Sequence, residues 1–332
     1  MKIAFLFPGQ GAQKIGMGKD LYENYEEVRN IYQKVSEISQ IDIAKLCFEG
    51  RKEAYNGNMY VDTQMQETGF DLDQTENTQL AIATMSLAIL EICKKEQIEA
   101  DILAGLSLGE YPALIHGEYL SFEEGIQLLK QRGYYMQHEV PDESYAMVAV
   151  MGLESNQIEQ VCKQIQEEGL FVAPANYNYT GQTVISGNIE AVKKAQERLA
   201  SIGAKRQVEL NTSGPFHTKK LEKAAQLYKR ELEKVKFLSS SKKVIKNIDG
   251  TFYHEKEDMA DILAKHIISP VRFDKAIQKM LEEGIDTFIE IGPGKALTGF
   301  VKKENKEVNT YQIYDIDSLE KTIDSLKNRK GE

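Results

Sequence analysis

Ser107 is the residue whose surroundings most strongly indicate chemistry. It stands at the centre of Gly105-Leu106-Ser107-Leu108-Gly109, a G-x-S-x-G pattern that follows the apolar run DILA and precedes the helical stretch EYPALIHG. In a strand-turn-helix setting the serine sits on a sharp turn, the two glycines let backbone and helix approach closely, and the helix N-terminus directs N–H groups at a developing oxyanion. A serine in an ordinary tight turn is the alternative, but the setting favours a nucleophile.

A serine hydroxyl needs a base to remove its proton, and histidine is the usual base near neutral pH. His217 is the best candidate, because the sequence Ser213-Gly214-Pro215-Phe216-His217-Thr218 predicts a rigid turn that could hold a base. A histidine that caps the following helix is the alternative. The other four histidines lie too near Ser107 in sequence, in polar segments, or on the apolar face of a helix: His116, His138, His254 and His266.

Two glycine-containing turns are candidates for nucleotide-binding loops. The turn at residues 7–13 lacks the G-x-G-x-x-G spacing of a dinucleotide loop, because Lys14 stands where the third glycine should be. Gly292-Pro293-Gly294-Lys295 has neither the upstream glycine nor the following Ser or Thr of a phosphate loop. Both nucleotide interpretations are therefore weak. Arg132, at a polar interruption of an otherwise apolar helix, would on its own be interpreted as a surface arginine.

The elements around these residues predict an α/β fold. Short apolar runs of strand type alternate with longer amphipathic segments, which is typical of a parallel sheet covered by helices. Residues 145–211 break this alternation and follow the βαββαβ order of a ferredoxin-like module. Because the alternation then resumes, for example with the strand-type run VIKNIDG at 244–250, we predict a discontinuous catalytic domain of 1–144 and 212–332 with an inserted small domain of 145–211.

Composition excludes several classes of protein. The 332 residues carry a formal net charge of −10 with dispersed basic residues, which argues against nucleic-acid binding. No run approaches the ~18–20 apolar residues of a membrane span, and the N-terminus lacks a signal-peptide pattern, so we expect no membrane association and a cytoplasmic location. Three well-separated cysteines form neither a zinc site nor a disulfide framework. The polar, aperiodic segment 51–73 is interpreted as a long surface loop or insertion.

Seven motifs in order resemble the malonyl-CoA:acyl carrier protein transacylase family. They are FPGQGAQ at 7–13, GLSLGE at 105–110, QRG with Met136-Gln137 at 131–137, ANYNYTGQTVISG at 175–187, SGPFHT at 213–218, SPVRF at 269–273 and EIGPGKALTG at 290–299. The resemblance spans Lys2 to about Lys303. It implies an α/β-hydrolase-like large domain with a ferredoxin-like insert, in agreement with the pattern of the elements.

The same resemblance implies a role for each matching residue. Ser107 would carry the acyl group and His217 would act as its base and then its acid. Backbone N–H groups of Gln10 and Leu108 would form the oxyanion hole, and Arg132 would bind the free carboxylate of malonate with its guanidinium fork. An acetyl group would leave that buried cation unpaired, at a cost on the order of several kcal/mol.

The implied reaction is a ping-pong transfer in fatty acid biosynthesis. A malonyl group would pass from malonyl-CoA to Ser107 and then to the phosphopantetheine thiol of an acyl carrier protein. No bound cofactor and no metal are implied, and we expect a monomer. The alternatives are a trans-acting acyltransferase of polyketide synthesis, a hydrolase of carrier-bound thioesters and a catalytically silent scaffold. Arg132 argues against the hydrolase, because editing enzymes need no carboxylate clamp, and Phe216 beside the base suggests a pocket too tight for an α-branched acyl group.

Three features depart from the family's usual pattern. Leu106 stands where most members have histidine, which removes a polar neighbour from the acyl pocket. His266 stands where the family usually has glutamine; in the family the backbone carbonyl at this position orients the catalytic histidine, so the side-chain change need not disable that contact. The 51–73 segment is some twenty residues longer than usual.

Overall fold

A computed structural model of the chain describes residues 1–50, 71–212 and 214–330, so the predicted insertion at 51–73 lies almost entirely outside the described residues. The large sheet is formed by β1 (Ile3–Phe7), β2 (Ile102–Gly105), β7 (Lys243–Val244), β9 (Thr287–Ile291) and β10 (Asn309–Ile313). Its strands are parallel and run in the order β10-β9-β1-β2-β7. Every residue of the central strand β1 is buried, because helices cover both faces of such a sheet.

Helices surround this sheet, and two of them, α4 and α6, carry residues of the site described below. The helices are α1 (Lys19–Asn24), α2 (Glu26–Ser39), α3 (Ile43–Glu49), α4 (Thr75–Lys95), α5 (Glu110–His116), α6 (Phe122–His138), α9 (Glu222–Leu232), α10 (Met259–Ile267), α11 (Phe273–Glu282), α12 (Ala296–Glu304) and α13 (Ile316–Lys330). Most of the 21 residues of α4 are buried, since it packs between other elements and has no solvent-facing stripe. A Cβ at Gly133 of α6 would lie 2.7 Å from the Cα of Glu76, so the glycine allows α4 and α6 to approach closely.

A second sheet follows the predicted βαββαβ order. It contains β3 (Tyr145–Met151), α7 (Ser155–Glu167), β4 (Val172–Tyr179), β5 (Gln182–Asn188), α8 (Ile189–Ser201) and β6 (Arg206–Glu209). The strand order β6-β3-β5-β4, with antiparallel pairs, is that of a ferredoxin-like sheet. A short strand from the later chain, β8 (Val271–Arg272), pairs in parallel with β4. The α/β fold class is confirmed, while the domain boundaries at 144–145 and 211–212 stay a prediction.

The turn after β2 packs against the turn after β1. The Leu106 N–H donates to the Phe7 carbonyl oxygen at 2.9 Å, which joins the two turns directly. A Cβ added at Gly109 would lie 2.2 Å from that same oxygen, and one at Gly105 would lie 2.0 Å from the Gly109 carbonyl carbon. Both glycines of the G-x-S-x-G pattern are therefore required by contacts with backbone atoms that cannot move aside.

Within the described ranges, no helix has the length and apolar character needed to cross a membrane.

Replacing Gly109 by alanine is expected to destabilise the protein by about 3 kcal/mol or more, because the new methyl group overlaps backbone atoms. Gly299→Ala is the matched control. Gly299 lies within α12, and a Cβ there meets no atom within 4 Å, so alanine should stabilise the helix by about 0.5–1 kcal/mol. Chemical denaturation of both variants measures the two changes. Equal free energies of unfolding for the two variants would contradict the close packing at the turn after β2.

Candidate active site

Ser107 sits on a sharp elbow between β2 and α5. Its φ of 54° lies in the left-handed region that side chains rarely adopt, as expected for a strained strand-to-helix turn. The residues Ser107–Gly109 form a single 3₁₀ turn before the helix begins. The Ser107 Oγ lies 2.7 Å from His217 Nε2. The structure thus brings together the two residues proposed from sequence as nucleophile and base, although 110 positions separate them.

The tautomer of His217 follows from its hydrogen bonds. Its Nδ1 lies 3.0 Å from the backbone carbonyl oxygen of His266. Because a carbonyl oxygen can only accept, Nδ1 carries the hydrogen and donates it. In the neutral ring Nε2 therefore has a free lone pair, which accepts the Ser107 hydroxyl. This is the arrangement that a general base requires, with a carbonyl in the place that an aspartate takes in a Ser-His-Asp triad.

The surroundings of His217 favour its neutral form. Only 3% of the side chain is exposed, and this burial lowers the pKa of His217 well below its ordinary value of 6.5. The neighbouring His266 and Arg132 side chains lower the pKa further, and the hydrogen bonds to backbone at His266 and Ser269 oppose the shift only in part. A base with a low pKa remains ready to accept a proton throughout the neutral range.

Arg132 is buried rather than on the surface. The side chain is 1% exposed and projects from α6 toward the elbow. Its Nη1 donates to Gln79 Oε1 at 2.7 Å, and its Nη2 donates to Ser107 Oγ at 3.0 Å. Among the described residues no carboxylate forms an ion pair with this guanidinium, and Nε has no hydrogen-bond partner. A buried cation without a counter-ion is costly, so the arrangement suits an anionic ligand.

The predicted oxyanion-hole residues border the cavity that opens over Ser107. Gln10 lies in the turn after β1 and Leu108 directly follows Ser107. The Gln10 side chain donates to Thr75 Oγ1 at 3.2 Å, which ties this turn to the start of α4. The use of their backbone N–H groups as an oxyanion hole stays a prediction. Leu106 borders the cavity as well, so the position where most family members have histidine presents an apolar surface.

Two residues that the sequence analysis missed hold the site in place. Asn247 accepts from the Ser107 N–H through Oδ1 and donates to the Gly105 carbonyl through Nδ2, both at 2.8 Å. It thereby fixes the strained backbone on both sides of the turn. Gln79 orients Arg132, as described above. A signal for Asn247 was present, since an amide inside the otherwise strand-like run VIKNIDG has no reason to be buried unless it has partners.

A cavity of about 580 Å³ opens over Ser107. Its walls are largely apolar side chains from the second sheet, from α6 and α12 and from the loop that carries His217: Met136, Met147, Met151, Val184, Phe216, Leu297 and Phe300. The polar groups Asn178, Gln182 and Lys295 also border it. A second cavity, of about 650 Å³, lies near the amino ends of β1 and β2 and includes none of the predicted site residues. Chemistry, rather than volume, therefore selects the first cavity.

Within residues 1–50, 71–212 and 214–330, no group of three or more His, Cys, Asp and Glu side chains is arranged to hold a metal ion. The three cysteines are buried free thiols, and burial raises the pKa of each to about 12. They are therefore poor nucleophiles near neutral pH.

His217 is expected to remain neutral at about pH 6, where an ordinary histidine is mostly protonated. Heteronuclear NMR of the imidazole nitrogens during an acid titration measures this. Arg132→Met removes one cause of the lowered pKa, so the His217 pKa should rise toward 6.5. Arg230→Met is the control, because Arg230 is an exposed residue of α9 and should leave the titration unchanged. A His217 pKa at or above 6.5 in the unmodified protein would refute this account of the site.

Comparison with known proteins agrees with this geometry. The model of the acyl transferase domain family matches residues 4–322. The malonyl CoA-acyl carrier protein transacylase of Bacillus subtilis is 39% identical over 326 residues, which are 98% of each chain. The crystal structure of the Clostridium perfringens malonyl CoA-acyl carrier protein transacylase superposes with a TM-score of 0.90 at 40% identity and covers 99% of this chain and 98% of that one.

A structure of a type II PKS acyl-carrier protein in complex with its malonyl-transacylase is also similar. It has a TM-score of 0.88 at 30% identity and covers 98% of this chain and 100% of the matched chain. These similarities extend over nearly the whole of each protein, so they concern the complete fold and not a shared segment. The chain therefore belongs to the acyl transferase domain family and, within it, to the malonyl CoA-acyl carrier protein transacylases.

Proposed function

We propose that this acyltransferase moves a malonyl group from malonyl-CoA to the phosphopantetheine thiol of an acyl carrier protein through a malonyl-Ser107 intermediate. One observation supports this most strongly. The Ser107 hydroxyl lies within hydrogen-bond distance of both His217 Nε2 and the guanidinium of Arg132, a buried cation. A nucleophile, its base and a site for a carboxylate thus meet at one oxygen atom.

The first half-reaction acylates the serine. Ser107 Oγ attacks the thioester carbonyl carbon while its proton passes to His217 Nε2. The oxyanion of the tetrahedral intermediate is stabilised by the N–H groups of Gln10 and Leu108. The intermediate collapses, the carbon–sulfur bond breaks, and the departing coenzyme A sulfur takes the proton from His217. The products are free coenzyme A and a malonyl ester on Ser107.

The second half-reaction runs the same chemistry with a different thiol. His217 takes the proton of the carrier's phosphopantetheine thiol, and the sulfur attacks the ester carbonyl. The carbon–oxygen bond to Ser107 breaks, and the serine oxygen recovers the proton from His217. A single base suffices for both directions, because each half-reaction leaves it neutral again. This symmetry fits a histidine whose pKa is lowered but whose Nε2 remains accessible to the cavity.

Arg132 selects the acyl group in this proposal. The malonyl carboxylate supplies the negative charge that the buried guanidinium lacks and can accept from the same Nη groups. An acetyl group of the same thioester would occupy the cavity without neutralising the cation, which disfavours its transition state. Gln79 keeps the guanidinium in place in either case, since it accepts from Nη1 on the side away from Ser107.

The carrier partner and the pathway are also part of the proposal. The relatives are named for transfer to an acyl carrier protein, and one is described with a type II PKS carrier. We assign this chain to fatty acid biosynthesis, as a cytoplasmic monomer that needs no bound cofactor. A polyketide carrier is the alternative acceptor, and comparison of the two purified carriers in the transfer assay distinguishes them.

Mixing the purified protein briefly with malonyl-CoA is expected to give a malonyl adduct that intact-mass analysis detects. Ser107→Ala should abolish the adduct, because it removes the attacking oxygen, and peptide mapping should place the adduct on Ser107. Adding a phosphopantetheine-bearing carrier should discharge it to the carrier thiol. An adduct that water clears before the carrier can take it would instead indicate a thioester hydrolase, and no adduct at all would indicate a scaffold.

Arg132→Met is expected to lower the preference for malonyl-CoA over acetyl-CoA by about 10³-fold or more, measured as the ratio of kcat/KM for acylation. The loss should come from slower acylation by malonyl-CoA, which loses its cation, and from faster acylation by acetyl-CoA, which no longer leaves that cation unpaired. Arg132→Lys is the matched variant that keeps the charge but loses the planar fork, and its preference should fall between the other two. An unchanged ratio in Arg132→Met would show that another group binds the carboxylate.

A further inference from the structure

Glu110 is a buried carboxylate that the reaction described above does not use. It is the first residue of α5, directly after the elbow, and 1% of it is exposed. Its Oε1 accepts from the Asn247 N–H at 3.0 Å and from the Tyr253 hydroxyl at 2.8 Å. Its Oε2 lies 2.8 Å from Nδ1 of His266, an ion-pair distance, although the two atoms are not aligned for a hydrogen bond. Burying a carboxylate is costly, so contacts at both oxygens call for an explanation.

One oxygen of Glu110 connects to the nucleophile. By accepting from the Asn247 N–H, Oε1 fixes the backbone of the residue whose side chain holds the Ser107 N–H and the Gly105 carbonyl. The path from the carboxylate to the strained serine backbone therefore contains two hydrogen bonds and one amide side chain. Glu110, Asn247 and Gly105 are buried and Ser107 is partly buried, so water competes little for these hydrogen bonds.

The other oxygen connects to the base. His266 is 1% exposed, and its ring stacks on that of His217 with the centroids 5.0 Å apart and the planes at 25°. The same residue supplies the carbonyl oxygen that holds His217 Nδ1. Because Oε2 of Glu110 faces the His266 ring, the carboxylate restrains the residue that positions the base by both its backbone and its ring.

A purely structural role explains this arrangement less well. A buried ion pair contributes little net stability, since desolvation offsets most of the attraction, and apolar residues of similar size often serve as well. Here the carboxylate connects two segments, each of which holds one reacting group. A fraction of an ångström between Ser107 and His217 affects the rate far more than it affects folding.

We propose that Glu110 is a positioning residue that fixes Ser107 and His217 relative to one another, through Asn247 on one side and His266 on the other. The inference rests on the proposed function. It assigns His266, which stands where the family usually has glutamine, a side-chain contact in addition to the expected carbonyl contact.

The groups around the Glu110–His266 pair determine how the pair responds to pH. Besides His217 and Arg132, they are the buried tyrosines Tyr111, Tyr228 and Tyr253, and burial raises the pKa of each. Lys246 lies 5.9 Å from the centre of the Tyr253 ring and is paired with Glu257. The tyrosines therefore stay neutral over the working range. The neighbouring His266 is one of the causes that lower the pKa of His217.

The first test is the pH dependence of the acylation rate in His266→Gln. This variant keeps the backbone carbonyl but removes the ring that stacks on His217 and is one cause of its lowered pKa, so the His217 pKa should rise. The acidic limb of the rate profile is then expected to move to higher pH by about one unit. The plateau above it should stay within about threefold of the original rate, because the carbonyl contact remains. A limb that superimposes on that of the unmodified protein would count against the pair.

The second test compares two substitutions of Glu110. Glu110→Ala removes the acceptor for the Asn247 N–H and is expected to lower kcat for acylation by about 10–100-fold with KM for malonyl-CoA within about threefold. Glu110→Gln keeps an acceptor for that N–H and for the Tyr253 hydroxyl and should recover most of the rate. Equal rates in both variants, or an unaltered rate in Glu110→Ala, would overturn the proposal.

Glu290 provides the control for loss of a buried carboxylate. It lies in β9, is also fully buried, and accepts from the N–H and hydroxyl of Thr298. Glu290→Gln should lower the thermal stability without moving the acidic limb or changing the split between kcat and KM. Equal kinetic losses in the Glu290→Gln and Glu110→Ala variants would reduce the role of Glu110 to stability.

The proposed function and this inference can fail separately. If the unmodified protein forms no malonyl adduct, the proposed function is wrong. In that case the NMR titration of the His266→Gln protein without substrate still tests whether His266 lowers the pKa of His217. If the adduct forms normally but the His266→Gln and Glu110→Ala variants behave like the original, only the positioning role is overturned.

Discussion

The burial of Arg132 without a carboxylate partner is the constraint around which the site is arranged. A guanidinium taken out of water needs hydrogen-bond acceptors, and the described part of the chain supplies only the Gln79 amide and the Ser107 hydroxyl. Both are neutral, so the charge itself stays uncompensated. The close packing of α4 on α6 at Gly133 makes this burial possible. The fold thus keeps an unpaired positive charge beside Ser107, which the carboxylate of the proposed malonyl substrate would neutralise.

The two sheets contribute different parts of the same cavity. The carboxyl ends of β1 and β2 provide the turn and the elbow, as expected for an open parallel sheet, where ligands bind beyond the strand ends. The second sheet supplies apolar walls such as Met147 and Val184. His217 comes from the segment that follows β6, the last strand of the βαββαβ unit. The base therefore reaches the serine only when the return from that unit is correctly placed.

Much of this arrangement could be predicted from sequence, and the remainder shows what such reasoning lacks. The strand-turn-helix setting of Ser107 and the pairing with His217 followed from local pattern and from motif resemblance. The burial of Arg132 did not follow from pattern alone, because an arginine at a polar break in a helix is usually exposed. Asn247 was missed for a different reason. The run VIKNIDG reads as one strand, but β7 spans only two residues, and its continuation bends so that the amide reaches the elbow.

Ser107 and His217 both occupy unfavourable backbone conformations, with φ of 54° and 58°. Each costs on the order of 1 kcal/mol or more for a residue with a side chain. Such a conformation persists only where surrounding contacts stabilise it by more than the strain costs. At Ser107 the Asn247 side chain accepts from the backbone N–H, whereas at His217 the carbonyl of His266 accepts from the ring. Because Glu110 contacts both of these residues, one carboxylate lies at the meeting point of the two sets of restraints.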